Sequence, residues 1–173
     1  MVVKYSDMIQ TISEATGLSH HRVRLLMKAC SEVYQEAIFE GKDIDCGLFK
    51  IGYTLPKGSI YKNKEVDWAG MEREVYRITG IDYGIVKVVL TQYKSLLTSN
   101  VLNGNAVTIK GIGYLYPEEF EDGSTDIRYR ISPSLLKCEE AEFVAMKDGK
   151  MAIQTLTSDD VRLSMSVNLL SKA

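Results

Sequence analysis

Apolar residues recur with the period of an amphipathic helix in two long stretches of the chain, and each stretch is followed by shorter, strand-like alternation. In the first stretch a helix is predicted over Tyr5–Ala15, with Ser6 as its candidate N-cap and Thr16-Gly17 ending it. A longer helix is predicted from its cap Ser19 to about Glu40, with Gly41 closing it. Its apolar positions are Val23, Leu26, Met27, Cys30, Val33, Tyr34, Ala37 and Ile38.

A hairpin is predicted directly after this helix. Lys42–Tyr53 is interpreted as two short strands about a turn at Cys46-Gly47, and Leu55–Gly58 has the composition of a second turn. Ile60–Glu65 then forms a short basic segment that carries two lysines.

The second stretch repeats the first at a constant spacing of 63 residues, as Gly17 and Gly80 show. Asp67 is predicted to cap a helix through Ile78, with Met71, Val75 and Ile78 facing inward. The positions of the two long helices that correspond are Val23 and Val86, Leu26 and Val89, Cys30 and Tyr93, Val33 and Leu96, Tyr34 and Leu97, Ile38 and Val101, and Gly41 and Gly104. Because helical phase and terminators are both kept, the sequence predicts an internal duplication.

The second copy continues into a predicted hairpin, with Val107–Ile109 and Tyr114–Tyr116 as strands about a glycine-containing turn. After Pro117 comes the acidic segment EEFEDGSTD, with a turn at Asp122-Gly123, and Ile127–Ile131 returns as a strand.

The rest of the chain departs from the repeat. A short helix is predicted from its cap Ser132 through Leu135, Leu136, Cys138 and Ala141. Asp148-Gly149 between two apolar runs predicts a hairpin. Alternation from Val161 to Leu169 favours a strand, with a helix capped by Ser158 as the competing interpretation.

Composition narrows the classes of function. The 45% hydrophobic and 25% charged residues are typical of a globular protein, and the net charge of −2 excludes a global basic field that would attract nucleic acid. The three cysteines are scattered, so they suggest neither a zinc site nor a disulfide framework, and Cys30 and Cys46 fit buried positions. With no signal peptide core or membrane-length apolar run, we expect a soluble, intracellular protein.

The repeated order of helix, Thr-Gly turn, long helix, glycine and hairpin resembles the HU/integration host factor family of bacterial and phage DNA-architectural proteins. The closest stretch is GNAVTIKGIGYL at Gly104–Leu115, and RYRISPSLLKCEE at Arg128–Glu140 is similar to the family's returning strand and final helix. The resemblance implies an α+β fold of two tandem units, at residues 1–65 and 66–141, whose β-arms are shortened in this sequence. Residues 142–173 depart from the family and are predicted to form a β-rich extension.

Members of this family form intertwined dimers, so the resemblance implies that the copies pair within the chain as a pseudo-dimer or that each pairs with another chain. The family's mechanism uses a basic saddle for phosphates and long β-arms that wedge a proline between base steps. The sequence departs from this pattern in its arms. The first is the stub TLPKGSIYKNKEV, and the second is short and acidic at its tip, with Glu118, Glu119, Glu121 and Asp122.

The candidate functional residues fall into two groups. Candidate phosphate contacts are Arg22, Arg24, Lys28, Lys57, Lys62, Lys64, Lys110, Arg128 and Arg130. Candidate protein-interface residues are Tyr53, Tyr61, Tyr114, Tyr116 and Tyr129, since tyrosine buries a large area at low entropy cost. Adjacent His20 and His21 point in different directions on a helix and do not make a metal site. Gly111 and Gly113 form a hairpin turn rather than a nucleotide fingerprint.

Two functional hypotheses remain. Because no catalytic motif is present, we expect a protein that is not an enzyme and uses no metal, cofactor or small molecule. The first hypothesis is a structural module that binds protein partners, or further HU/IHF-like units, in a larger assembly such as a phage particle. The second is an architectural protein that contacts double-stranded DNA through a basic saddle. The expected location is the cytoplasm or nucleoid, or a virion if a phage encodes the chain.

Overall fold

A computed structural model describes residues 1–45, 49–60, 63–132, 140–147, 150–157 and 162–167 of this 173-residue chain. Over these residues the fold is mixed α+β, with four helices, two four-stranded sheets and one two-stranded hairpin.

The four helices recur at the spacing of the sequence repeat. They are α1 Tyr5–Thr16, α2 His20–Phe39, α3 Trp68–Thr79 and α4 Tyr83–Leu102. Both short helices end at a glycine in the left-handed region, Gly17 at φ 74° and Gly80 at φ 65°, as predicted. The predicted caps are also confirmed, because Ser19 Oγ accepts from the Arg22 N–H at 3.2 Å and Asp67 Oδ1 from the Gly70 N–H at 2.7 Å.

Two details of the helix predictions are wrong. Ser6 is not an N-cap, because α1 begins at Tyr5 and the Lys4 N–H donates to Asp7 Oδ2 in the first turn at 3.1 Å. Ile78 does not face the core as Met71 and Val75 do. It is 38% exposed, because the last turn of α3 lies beside a groove against α2.

The strands form two sheets with related orders. Sheet A contains, from edge to edge, β1 Val2–Val3, β5 Ala106–Ile109, β6 Gly113–Glu119 and β7 Thr125–Ile131. Sheet B contains β4 Glu65–Val66, β2 Asp43–Asp45, β3 Phe49–Thr54 and β10 Arg162–Val167. Both predicted helix-following hairpins are therefore present, and the stub turn is confirmed by the Ser59 N–H bond to Pro56 O at 3.1 Å. The Cys46-Gly47 turn lies outside the described residues.

Each copy gives its first strand to the sheet of the other copy. β1 precedes the helices of the first copy and pairs in parallel with β5 of the second, with Val2 opposite Ala106. β4 precedes the helices of the second copy and pairs in parallel with β2 of the first, with Glu65 opposite Asp43. Both partners of one pair are 63 residues from their counterparts in the other, so the exchange is reciprocal and in the same register.

The tail of the chain supplies the fourth strand of sheet B. β10 pairs with β3 and places Met165 opposite Ile51, as β7 pairs with β6 and places Tyr129 opposite Leu115. The strand interpretation of this segment is confirmed for residues 162–167 and the competing helix is wrong there, because β3 offers a free edge that a strand can pair with. Val161 and Leu169 lie outside the described residues.

The remaining hairpin comprises β8 Glu140–Lys147 and β9 Lys150–Thr157, with Lys147 opposite Lys150. Its strands confirm the predicted hairpin, and the Asp148-Gly149 turn lies outside the described residues. The predicted helix from Ser132 is wrong at Ala141, which belongs to β8. Its positions 133–139 are likewise outside the described part of the chain.

One core joins both copies. The helix positions predicted to be apolar in α2 are all buried, and Tyr34 and Tyr93 of the two long helices are each only 1% exposed. The predicted burial of Cys30 is confirmed, whereas Cys46 lies beyond the described residues. Gln35 of α2 donates from Nε2 to Gly111 O at 2.9 Å, so a helix of the first copy holds the hairpin turn of the second.

Candidate interaction surfaces on the arm and the long helix

The β6–β7 hairpin extends beyond the core as a short arm. We use "the arm" for residues 117–127, in which Pro117 is opposite Ile127 and Glu119 is opposite Thr125. Its turn is closed by the Phe120 N–H bond to Ser124 O at 2.9 Å and by Gly123, at φ 85°, whose N–H donates to Phe120 O at 3.0 Å. The arm is therefore a fixed hairpin of a few residue pairs.

Two carboxylates of the arm pair with Arg128, the residue that directly follows the arm. Arg128 Nε donates to Glu118 Oε2 at 2.7 Å and lies 3.8 Å from Asp126 Oδ2. Its guanidinium also stacks on the Phe120 ring, 5.6 Å from the centroid. This candidate phosphate contact is thus surrounded by two negative charges and an aromatic ring.

The tip of the arm remains acidic. Asp122 accepts bonds from the Ser124 hydroxyl and N–H, which hold the pKa of that carboxyl below its usual range. Glu119 and Glu121 flank Phe120 and are both exposed, and Phe120 itself is 39% exposed. The arm therefore presents one aromatic ring between charged carboxylates.

The candidate tyrosines of sheet A point to opposite faces of the sheet. Tyr114 and Tyr116 lie on the outer face with centroids 5.5 Å apart, and the Tyr114 hydroxyl accepts from Arg130 Nη1 at 3.1 Å. Tyr129 lies on the inner face and donates to Ile112 O at 2.7 Å, and burial raises its pKa above the usual range. Tyr53 is half-buried in β3, and Tyr61 lies outside the described residues.

The candidate cations lie on several separate elements. Arg22, Arg24 and Lys28 are exposed along the first half of α2. Lys57 and Lys64 are exposed on the stub of the first copy, whereas Lys62 is not among the described residues. Lys110, at the β5–β6 turn, stacks over the Tyr5 ring at 4.8 Å. The structure thus brings together the cations of α2 and, separately, those of β7.

A groove runs beside the cations of α2. It has a volume of about 340 Å³ and lies between α2 and the end of α3. Its lining residues are Leu25, Lys28, Ala29, Glu32, Ile78, Thr79 and Ile81. The sequence did not reveal this groove, because its helical pattern assigned Ile78 to the core. Phe120 of the arm was also not predicted to be a functional residue, since it stands within an acidic segment.

Other kinds of site are not found in the described part of the chain. No group of three or more His, Cys, Asp or Glu side chains could hold a metal ion there. No helix among those residues is long and apolar enough to cross a membrane. His20 and His21 are both exposed in the first turn of α2.

No family model matches this chain, and no curated protein matches it.

Proposed function

We propose that this chain is a duplicated HU/IHF-like scaffold that serves as a non-catalytic assembly module through protein–protein contacts, with the DNA-bending ability of such scaffolds reduced or lost. The element order of each copy and the GNAVTIKGIGYL stretch at Gly104–Leu115 support the scaffold. A phage or mobile-element particle is the setting that we propose for this module.

The proposal includes internal pairing of the two units as a pseudo-dimer. Three observations support it: the reciprocal exchange of β1 and β4, the shared hydrophobic core, and the Gln35 bond to Gly111. An arrangement in which each unit instead paired with another chain would have to break these contacts. The chain then needs no second copy to bury its helices.

The arm is the observation that carries the proposal. A DNA-bending arm needs cations facing phosphate and an apolar wedge that can enter the minor groove. Here Arg128 is neutralised by Glu118 and Asp126, and the Phe120 ring is flanked by Glu119 and Glu121. Carboxylates are repelled by phosphate, and each cation lost from the contact weakens the counterion-release component of DNA affinity. Such an arm suits a protein surface better than a duplex.

Sheet B provides a second reason. In the place where sheet A has the arm-bearing strand β7, sheet B has β10, which arrives from the far end of the chain. β3 leads instead into the stub turn at Pro56–Ser59. A pair of matching arms, which would clamp a duplex from two sides, is therefore not supported.

DNA binding without arms is the second candidate, because the cations of α2 favour it. Arg22, Arg24 and Lys28 are exposed on one helix, and Lys57 and Lys64 are exposed on the stub. Exposed cations of this kind could contact the phosphate backbone without reading bases.

A gel-shift titration with duplex DNA at low and at moderate salt separates the two candidates. The assembly proposal predicts weak binding that changes little with salt. Sub-micromolar affinity with a steep salt dependence would overturn it in favour of the DNA candidate. A variant with Arg22, Arg24 and Lys28 changed to glutamine should behave like the native chain if these cations have no DNA role.

A further inference from the structure

The groove between α2 and α3 has an apolar floor, and two exposed cations of α2, Arg22 and Lys28, lie beside or within its lining. Leu25 and Ile78, which both line this groove, are 43% and 38% exposed, so the groove offers two large aliphatic side chains to solvent. Arg22 and Lys28 lie three residues before and after Leu25 on α2, so they share its side of the helix. Lys28 and Glu32 are the two charged residues that line the groove, and Arg22 adds a cation next to the lining.

The arm tip has the opposite character. Its exposed ring, Phe120, is held by the closed turn and by its stacking on Arg128, so little side-chain freedom remains to be lost on binding. Glu119 and Glu121 lie on either side of the ring along the chain and are exposed to solvent. The tip is thus an ordered apolar knob with an acidic surround.

We propose that the arm tip of one copy docks into the α2–α3 groove of a second copy of this chain. This inference rests on the proposed assembly function, because it supplies that function with a partner. The Phe120 ring would lie against Leu25, Ile78 and Ile81, and Glu119 and Glu121 would face Arg22 and Lys28. Opposite charge around an apolar centre is the arrangement that gives a protein interface both its affinity and its register.

The geometry of this contact determines the kind of assembly. The arm and the groove are different surfaces, so each copy uses its arm on one neighbour and offers its groove to another. Contacts of this heterologous type form a ring if the rotation closes and a filament if it does not. The assembly should therefore grow beyond a dimer as concentration rises.

Sedimentation velocity over a concentration series of the full chain, at low salt, tests the proposal. The native chain should self-associate. The reversed-arm variant Glu119→Lys/Glu121→Lys and the reversed-groove variant Arg22→Glu/Lys28→Glu should each weaken association by at least about tenfold, because like charges then meet. An equimolar mixture of the two variants should associate again, since each arm then meets a groove of opposite charge.

Matched controls separate docking from a general loss of apolar surface. Phe120→Ser should weaken association by about tenfold or more, as truncating a central aromatic residue does. Phe39→Ser should leave it unchanged, although Phe39 is exposed to a similar degree, 44% against 39%. Leu25→Ser should likewise weaken association, whereas Val88→Ser should not, because Val88 is the exposed counterpart of Leu25 in α4.

Three results would overturn this inference. They are a native chain that stays monomeric throughout the series, association that both reversed variants retain, and reversed variants that do not recover when mixed. The proposed function is judged separately by the DNA titration. Weak DNA binding together with any of these results would leave the assembly function in place and remove only the arm-to-groove contact.

Discussion

Sheets A and B have corresponding strands in the same order, yet they differ in where the fourth strand comes from. In sheet A, β7 follows β6 through the five-residue turn of the arm, whereas in sheet B, β10 reaches β3 from more than a hundred residues further along the chain. The register is nonetheless equivalent, with Tyr129 opposite Leu115 and Met165 opposite Ile51. The free edge of a hairpin can therefore be paired by a strand that is not its neighbour in sequence.

The outer faces of the two sheets differ in chemistry as well. Sheet A carries Tyr114 bonded to Arg130, whereas sheet B carries the Lys50–Glu65 ion pair at 3.0 Å next to Asp43. Asp43 accepts from Asn63 Nδ2 at 2.7 Å, and burial is the main cause of its raised pKa. The two sheets thus bury corresponding residues, Ile51 and Leu115, while their outer faces carry different polar groups.

The largest loss of stability is expected when one inward-facing residue of each sheet is truncated. Ile51→Ala in sheet B and Leu115→Ala in sheet A should each lower the free energy of unfolding by about 2–5 kcal/mol, because both side chains are essentially fully buried. Urea unfolding followed by circular dichroism measures the loss. Since one core joins both copies, each variant should still unfold in a single transition. Two separate transitions would contradict the shared core.

A smaller effect is expected where the sheets differ at one backbone position. Gly113, at φ 150°, corresponds to Phe49 of β3, and a Cβ at Gly113 would collide with the Arg130 carbonyl. Gly113→Ala should therefore cost about 1–3 kcal/mol of unfolding free energy. Gly123→Ala is the control, since its φ is also positive but its Cβ would meet nothing within 4 Å. Equal losses in the two variants would show that the close approach of β7 to Gly113 has no energetic consequence.

Alkaline pH should act on two tyrosines on the sheet A side, Tyr5 and Tyr129. Tyr5 has its pKa raised to about 12, mainly by burial, and the pKa of Tyr129 is also raised by burial, whereas their counterparts Trp68 and Met165 do not ionise. A tyrosine with a usual unfolded pKa near 10 then contributes stability that is complete below about pH 10 and is lost as the pH rises towards 12.

Replacing each tyrosine by phenylalanine tests this pH dependence. Urea unfolding at about pH 7 and about pH 11 should show a shallower alkaline loss for Tyr5→Phe and for Tyr129→Phe. At the lower pH, Tyr129→Phe should cost about 1 kcal/mol because it removes the bond to Ile112 O. Tyr5→Phe should not lower the stability at this pH, because the buried Tyr5 hydroxyl has no hydrogen-bond partner to lose. If both variants lost as much stability at alkaline pH as the native chain, the loss could not be assigned to ionisation of Tyr5 and Tyr129.

Local signals were sufficient for the four helices α1 to α4 and for the turns at Pro56–Ser59 and Asp122-Gly123. The helical period of α2, the caps Ser19 and Asp67 and the left-handed glycines depend on neighbours within a few residues, so the sequence carries them directly. The β6–β7 turn at Asp122-Gly123 was predictable for the same reason. The predicted unit boundaries and the HU/IHF resemblance remain predictions.

Long-range pairings were not accessible from local signals. β1 and β4 are each two residues long, too short for any alternation to be recognised, and their exchange appears only when both copies are folded together. The place of β10 beside β3 likewise depends on a free edge far away in sequence. The groove at Leu25 and Ile78 could not be predicted, because it depends on where α3 ends beside α2. A helical period shows which residues share a face, but it does not show where a neighbouring helix ends.

The most direct test of the account is the slope of the logarithm of the DNA binding constant against the logarithm of salt concentration, measured by fluorescence anisotropy with a labelled duplex. Each phosphate neutralised by the protein contributes a slope of about −0.9 for duplex DNA. An assembly module whose arm is acidic should bind only weakly, with a slope between zero and about −2, which corresponds to no more than two phosphate contacts. Tight binding with a slope of about −5 or steeper would show that a basic saddle grips the backbone, and would contradict the account.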